Sequence, residues 1–591
     1  MGLFALFLLA GCGRAPAPPA GGTPAAAASR SNVNRIVDNY WDAYLELNPM
    51  RATETGDHRF DDRIGNVLAI EHLADSLALE HRALADLSAV PVGSLDVEAR
   101  LTYDLFKHDR ELAIEGFTYP FELMPVNPFD SLPQRFALWG SGGGAQPFAS
   151  ARDYERWLSR IDDFRRWTVQ AIANMRDGLR RGYTLPRNVV ERTLPQLKLL
   201  GEDTPSNVFY LPLHAMPSAI PEPARAELAR RFADAVKATL LPSYRELHAF
   251  LQTEYLPRAR AGISLAELPL GDAWYAYLVR RSTTFATTPA EVHTQGLAQV
   301  DVLHARIESL LAEAAFAGNL PGFLASLRDS GHAAFAGGED LLAAYRDLQA
   351  HANDAARALF VLPDDPAYEV RAVPHGCEAA LPAVFYQAAA PNGAQPAIFY
   401  VDTADPAATP PYALQAQSLN VGVPGHHLQQ TIQRTREASP RFRRFAVYPG
   451  FTEGWGAYAA TLGPELGLAT DPAARLGTLM AEMHDAVGLV IDTGLHAKGW
   501  TRKQALEYAQ AHLPVDADQA SVMVDRIAAL PGAALAAGVG SLKIQSMRLR
   551  AQQQQGAGFD LRAFHTAVLA AGAMPLDMLE SRLTSWMQTP P

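Results

Sequence analysis

Two cysteines, Cys12 and Cys377, are all that the 591-residue chain contains, and positive charge is also scarce. One pair of cysteines cannot form the disulfide framework of a small secreted scaffold. Lys and Arg total 51 against 63 Asp and Glu, so the net charge is −12. Because no basic patch stands out against that background, we do not expect the protein to bind nucleic acid. No apolar run reaches the roughly 18–20 residues of a membrane-spanning helix, whereas the hydrophobic content of 48% is enough for large cores.

Three common catalytic signatures are missing as well. The chain has no Gly-x-Ser-x-Gly nucleophile elbow, no His-Glu-x-x-His pair and no Cys-x-x-Cys. These absences exclude the serine nucleophile of α/β-hydrolases, the usual zinc-protease helix and a thioredoxin-like redox motif. Hydrolytic chemistry would therefore need another set of residues.

The first residues have the pattern of an export signal. Gly2 to Gly11 form an apolar stretch that is too short to span a bilayer but suits a signal-peptide core. The stretch ends in Leu-Ala-Gly-Cys12, which resembles the lipobox of bacterial lipoproteins. We predict a lipoprotein signal peptide over residues 1–12, lipidation at Cys12, and a Pro/Ala/Gly-rich tether over residues 13–31. The expected location is the bacterial cell envelope, on a lipid anchor that faces the periplasm, and Gly13 is compatible with the outer membrane.

The rest of the chain has mainly helical periodicity. From Asn32 onward, Val33, Ile36 and Val37 fall on one helix face, and Pro49 ends this pattern. The sequence therefore predicts a mainly α fold, with one large helical unit over residues 32–591. A division of this unit into two lobes is left open.

Strand-like segments are confined to one region. Residues 368–373 alternate, 383–386 and 397–401 are short apolar runs, and a Pro-Asn-Gly turn signal lies at 391–393. We predict a small antiparallel β-sheet inserted into the helical body. A deep open groove lined by the strand at 398–401 would favour a binding or hydrolytic protein, because an edge strand there would be able to pair with an extended peptide.

The most unusual stretch is Pro-Gly-His426-His427. Proline is favoured in a first helical turn, so the two histidines are expected where a turn becomes a helix. Glu453 lies 26 residues after His427, within Glu-Gly-Trp-Gly-Ala-Tyr. One or two imidazoles and a carboxylate from a second helix form the ligand set of a catalytic zinc site. His426, His427 and Glu453 are therefore candidate metal ligands, although a helix cap or a surface pair is the commoner role of two adjacent histidines.

Ordered motifs along the chain resemble those of the bacterial family known as domain of unknown function 885. The resemblance runs from about residue 32 to the C-terminus. It implies a zinc-peptidase-like fold, mainly helical with a small sheet beside a zinc cleft, and peptide hydrolysis as the family's chemistry. The motifs are Tyr-Leu-Glu-Leu-Asn-Pro at 44–49, Gly-Asp-His-Arg-Phe at 56–60, Pro-Gly-His-His-Leu-Gln at 424–429, Glu-Gly-Trp-Gly-Ala-Tyr at 453–458, Asp-Thr-Gly-Leu-His at 492–496 and Phe-Asp-Leu-Arg-Ala-Phe-His at 559–565.

The family pattern His-Glu-x-x-Pro-Gly-His-His is degenerate in this chain. The family's first histidine, a zinc ligand, corresponds to Asn420, and the glutamate that acts as general base corresponds to Val421. Asparagine is a poor zinc ligand compared with imidazole. Valine cannot accept a proton, a role that is typically worth ~10²–10⁴-fold in rate. The resemblance therefore implies that zinc, the family's cofactor, is absent or weakly bound here.

Further family positions have also changed. Where the family has Gln and, farther on, Tyr, this chain has Ala533 and Ala537, and two family arginines correspond to Asp485 and Gly488. A tyrosine at 537 would be suited to stabilise an oxyanion. The small apolar replacements suit a cleft that no longer carries a charged metal.

These losses predict an exported pseudopeptidase, a lipoprotein with the peptidase-like fold and no catalytic residues, whose former cleft binds a peptide or a partner protein. The alternative is an active metal-dependent hydrolase with a rearranged site, so enzymatic status stays open. In that alternative, His484 or His496 joins His426, His427 and Glu453 around a metal.

Two other questions stay open at this level. Asp492 and His496 are four residues apart, so they would be able to pair on one helix face, in a structural role or at a metal. A purely structural envelope protein with a filled cleft is a third interpretation. The sequence does not indicate the oligomeric state.

Overall fold

The computed structural model describes residues 24–329, 334–363, 367–378, 381–389 and 396–588. The predicted signal peptide with Cys12, most of the predicted tether and the turn at 391–393 lie outside the described residues. In the described part, α-helices dominate and one small sheet interrupts them, which confirms the predicted fold class. None of the described helices is both long enough and apolar enough to cross a membrane.

The helices and strands are numbered in chain order. Helices α1 to α24 span Pro24–Leu47, Pro49–Glu54, Ile70–Ser88, Val97–Gly116, Leu132–Gly140, Ala151–Arg181, Arg187–Leu200, Leu211–His214, Glu222–Ala235, Leu241–Phe250, Gly271–Thr283, Pro289–Glu313, Leu320–Asp329, Gly338–Ala356, Leu414–Val421, His426–Arg434, Arg441–Arg444, Pro449–Ala460, Pro472–Ala497, Arg502–His512, Ala517–Ala529, Leu535–Gln555, Leu561–Leu569 and Leu576–Gln588. Strands β1 to β3 span Glu369–Ala372, Val384–Gln387 and Ile398–Val401.

Helix α1 begins at Pro24, inside the segment 13–31 that the sequence predicts as a tether. Proline is well placed at a helix start, and the alanine run that follows is the best helix former. Near the start of the helix, Arg30 Nε donates to Asp96 Oδ2 over 2.8 Å. Val33 and Val37 are fully buried, as the periodicity predicts.

The small sheet is mixed, whereas the sequence analysis predicted antiparallel pairing throughout. The strand order is β1-β3-β2: β2 pairs antiparallel with β3, and β1 pairs parallel with it. Alternating apolar residues mark a strand but do not encode the direction of its neighbour. The strand at 398–401 is therefore central and buried on every residue, and the edge strand that borders the groove is β2.

Helices α18 and α22 approach each other until their backbones touch. A Cβ atom on Gly540 would lie 2.0 Å from the Gly450 carbonyl oxygen and 2.6 Å from the Gly454 Cα. Only glycine fits at such a backbone contact. This contact brings Glu453 on α18 and Ser541 on α22 to the same cavity.

Candidate functional site

The Pro-Gly-His-His segment is a sharp turn between α15 and α16. Helix α15 ends at Val421 and α16 begins at His426. A Cβ atom on Gly425 would lie 1.8 Å from the Asn420 carbonyl oxygen, so the chain can fold back on itself only with glycine at this position. The turn places the side chain of His426 beside that of Asn420, which an unbroken helix could not do.

The Glu-Gly-Trp-Gly motif on α18 packs against this turn. The buried Trp455 indole donates from Nε1 to the Pro424 carbonyl oxygen over 2.8 Å. At Gly456, an added Cβ would lie 2.8 Å from His426 Nε2 and 3.0 Å from Asn420 Oδ1. The two side chains therefore meet above the same glycine, and the two motifs form one structural unit.

The structure brings His426 and Glu453 together. Their Nε2 and Oε2 atoms are 3.5 Å apart, and half of the Glu453 side chain is exposed to solvent. The other imidazole nitrogen of His426, Nδ1, is buried and makes no hydrogen bond to the described residues. This pair presents one half-exposed carboxylate at the N-terminus of α16, while the second ring nitrogen of His426 stays buried.

His427 faces the opposite side of the turn. Its ring is buried, and its Nδ1 lies 3.0 Å from the Tyr386 hydroxyl. The Tyr368 ring packs against the imidazole of His427 at an interplanar angle of 53°, with the two ring centroids 4.7 Å apart. Of the two adjacent histidines, His426 is therefore the one that faces the space next to Glu453.

That space is a cavity of about 450 Å³. Its walls come from α12, β2, α15, α16, α18, α19 and α22. Asn420 and Val421 both contribute to its lining, so the two degenerate positions lie at the site. Ala533 is exposed and Ala537 is partly exposed, and neither contributes to the lining.

One wall of the cavity carries two acidic side chains, of which only Asp485 was identified from the sequence, as a changed family position. Glu482 and Asp485 project from α19, and Glu482 is mostly buried, with 11% of its side chain exposed. Burial raises the pKa of Glu482, while Arg306 Nη1 donates to its Oε2 over 3.0 Å. Thr478, Glu482 and Asp485 have the i, i+4 and i+7 spacing of one helix face. Polar residues with this spacing on an otherwise apolar helix were the sequence signal for a polar wall.

Asp492 and His496 are both fully buried, and each has its own partners. Asp492 accepts from the Tyr275 hydroxyl over 2.6 Å and from the Gly532 amide over 3.0 Å. The Leu265 amide donates to His496 Nδ1, and His496 Nε2 lies 3.2 Å from the Ile527 carbonyl oxygen. Burial raises the pKa of Asp492 to about 7 and lowers that of His496 to about 3. Both side chains therefore connect α19 to neighbouring segments through hydrogen bonds, which is a structural role rather than that of a metal ligand.

The residues beside Glu453 do not provide a full set of catalytic zinc ligands. A separation of 3.5 Å suits two ligands of one ion, but a catalytic zinc needs three protein ligands. The Asn420 amide lies on the same glycine as His426 but is a weak ligand, and His484 is 61% exposed and does not line the cavity. In the part of the chain that the structure describes, no three His, Cys, Asp or Glu side chains are grouped to hold a metal.

Two solved structures share this fold. A candidate lipoprotein from Colwellia psychrerythraea matches with a TM-score of 0.87 and 21% identity, over 95% of this chain and 99% of its own. A candidate lipoprotein of unknown function from Shewanella oneidensis matches with a TM-score of 0.65 and 16% identity, over 94% of this chain and 99% of its own. No curated protein matches.

A family model provides the remaining comparison. The model of the bacterial proteins of unknown function DUF885 matches residues 49–583. This range contains the cavity, the Pro-Gly-His-His turn and most of the motifs on which the resemblance was based. The chain therefore belongs to the DUF885 family of bacterial proteins of unknown function.

Proposed function

We propose that this protein is a pseudopeptidase that binds an extended peptide, or an extended segment of a partner protein, without hydrolysing it. The observation that carries the proposal is the position of Val421. It lines the cavity next to the His426–Glu453 pair, where the family pattern has its general base. Because Asn420 stands where a zinc-binding histidine is expected, we infer that zinc is held weakly or not at all.

The edge strand β2 supports a peptide as the ligand. Among the described residues, β2 pairs only with β3, and its residues Val384 to Tyr386 line the cavity. An edge strand has unpaired backbone N–H and C=O groups that an added strand can satisfy. A cavity that is open to such an edge also argues against a purely structural protein with a filled cleft.

The hydrolase with a rearranged site has less support. It requires His484 or His496 to join His426 and Glu453. His496 contacts Leu265 and Ile527 with its two ring nitrogens, and the largely exposed His484 lies outside the cavity lining. Both histidines would have to leave their present positions to reach a shared ion.

A cavity-filling substitution tests peptide binding. Ala481→Trp places an indole in the cavity, whereas Ala474→Trp adds the same group to α19 away from it. We expect wild type and Ala474→Trp to retain peptides from a random nonapeptide library, and Ala481→Trp to retain about tenfold less, because the indole takes up the ligand's space. Mass spectrometry of the retained and free peptides measures both binding and cleavage.

Two results would contradict this proposal. Equal retention by Ala481→Trp and wild type would place peptide binding elsewhere. New peptide termini that depend on added zinc and disappear in Glu453→Ala would favour the hydrolase. A proteolytic contaminant would produce termini that persist in Glu453→Ala.

We also propose that Cys12 is lipidated and anchors the protein in the bacterial envelope, facing the periplasm, with the outer membrane as its expected location. The lipobox-like sequence and the two similar proteins described as candidate lipoproteins support this anchor. Since one acyl chain binds membranes only marginally, stable anchoring needs the several chains of a mature lipoprotein.

Detergent partitioning tests the anchor. When the full-length chain is expressed in bacteria, we expect wild type in the detergent-rich phase and Cys12→Ser in the aqueous phase. Cys377→Ser is the matched control, because Cys377 is buried and its pKa is raised to about 12. Detergent partitioning of Cys12→Ser equal to that of wild type would overturn the proposal.

A further inference from the structure

We infer that the cavity selects a positively charged group, an ammonium or guanidinium such as a lysine or arginine side chain of the bound peptide. This inference rests on the proposed peptide binding and adds the chemical class of the ligand. It is based on the charge of the cavity lining, on a half-compensated buried carboxylate and on an unpartnered hydroxyl beside that carboxylate.

The lining of the cavity carries acidic groups without basic ones. Glu453, Glu482 and Asp485 lie on it, and none of the described residues that line it is Lys or Arg. The remaining polar lining consists of His426, Tyr386 and a set of neutral amides and hydroxyls, among them Gln299, Gln417, Asn420, Gln430, Ser541 and Gln545. Amides and hydroxyls can accept hydrogen bonds from a cation but do not compensate a carboxylate charge. A neutral or anionic ligand would therefore bring no positive charge to this acidic lining.

Only one of the two carboxylate oxygens of Glu482 has a hydrogen-bond partner among the described residues. Its Oε2 accepts from Arg306, whose side chain is 48% exposed and does not line the cavity. Its Oε1 is buried and has no hydrogen-bond partner among the described residues. A buried carboxylate oxygen without a donor is costly, and a charged donor is its strongest partner. A ligand ammonium or guanidinium would supply that donor.

Thr478 adds a second unsatisfied acceptor on the same wall. It lies one helical turn before Glu482 and is only 6% exposed, and it lines the cavity. Its hydroxyl makes no hydrogen bond to the described residues, although helical threonines usually bond the carbonyl four residues earlier. A guanidinium or ammonium has several N–H groups and is able to bond both Thr478 and Glu482.

Phe385 and Tyr386 on β2 add aromatic rings to the same lining. Their backbone belongs to the edge that a peptide would extend. The volume of about 450 Å³ lies within the range of ordinary ligand pockets. A peptide that pairs with β2 would be able to place one long basic side chain in this cavity, which Glu482 and Asp485 of α19 also line.

Three capped nonapeptides of alanine and serine test the inference, with lysine, norleucine or glutamate at the centre. Norleucine keeps the apolar stem of lysine and removes its charge. We expect the lysine peptide to bind about tenfold or more tightly than the norleucine peptide, and the glutamate peptide to bind most weakly. Fluorescence anisotropy of the labelled peptides gives these ratios, and arginine amide serves as a small competitor.

Two variants assign the effect to the acidic wall. Glu482→Gln and Asp485→Asn should each reduce the lysine-to-norleucine ratio severalfold, because each removes a carboxylate that the lysine ammonium would contact. Asp485 is partly exposed and its nearest ionic group is His484 at 3.7 Å, so its removal should not unfold the protein. Glu507→Gln, an exposed acid on α20, is the matched control.

The outcomes separate the two proposals. Equal binding of the three nonapeptides would overturn charge selection and leave peptide binding intact. Binding of arginine amide that requires Glu482, with no binding of any nonapeptide, would support the cation site and overturn peptide binding. Absence of binding by every probe would overturn both.

Discussion

Asn420→His is expected to convert a protein that loses zinc on dialysis into one that retains about one ion per chain. Asn420 and His426 already meet above Gly456, and Glu453 lies 3.5 Å from His426. An imidazole at position 420 would supply the third strong ligand that the described residues lack there. Because even an outer-shell change alters metal affinity 10–100-fold, a gain of more than about 100-fold is expected. Mass spectrometry of metal content after dialysis measures the result.

Two further variants control this experiment. Asn420→Leu removes the amide without adding a ligand and should hold no more zinc than wild type. His426→Ala in the Asn420→His background should lose the gained ion. Stoichiometric zinc in wild type would contradict the expected result and would favour the rearranged hydrolase, while failure of Asn420→His to gain zinc would mean that position 420 is not at the metal position.

Hydrolysis is expected only after a second change. Val421→Glu added to Asn420→His would place a carboxylate in the cavity, where it would be able to accept a proton from water. General base catalysis is typically worth ~10²–10⁴-fold, so the double variant should exceed the single one by that order in peptide turnover. The assay compares both variants on one labelled peptide with and without zinc.

Gly540→Ala is expected to lower the free energy of unfolding, because its methyl group would meet the backbone of α18. Its Cβ would lie 2.0 Å from the Gly450 carbonyl oxygen, and backbone atoms of a packed helix cannot move aside. Overpacking of this kind costs about 1–3 kcal/mol or more in free energy of unfolding. The substitution should also separate α18 from α22, and the midpoint of urea unfolding measures the loss.

Gly488→Ala is the matched control on α19. There the added Cβ would meet its nearest atom, the Ala534 Cβ, at 3.5 Å, which is ordinary van der Waals contact. Alanine is favoured over glycine within a helix by up to about 1 kcal/mol. We therefore expect Gly488→Ala to leave the urea midpoint unchanged or raise it. A loss equal to that of Gly540→Ala would show that the α18–α22 contact is not the cause.

The site was only partly predictable from the sequence. Two motifs about 26 residues apart indicated that His426 and Glu453 would meet, because each has an unusual composition and resembles a motif of a known family. His427 looked equivalent to His426, and only the folded turn shows that it packs against Tyr368 and Tyr386 instead. Glu482 was not identified from the sequence, because its place in the cavity lining depends on which face of α19 borders the cavity.

The sequence by itself determined the helices, the composition of the degenerate motif and the family, because helical periodicity and local motifs depend on residues close together in the chain. Tertiary structure alone decided the rest. It placed β1 parallel to β3 and put β2 at the edge, because strand pairing is a contact between distant segments. It also decided which histidine faces the cavity, because the Trp455–Pro424 hydrogen bond and the contact at Gly456 orient the turn between α15 and α16.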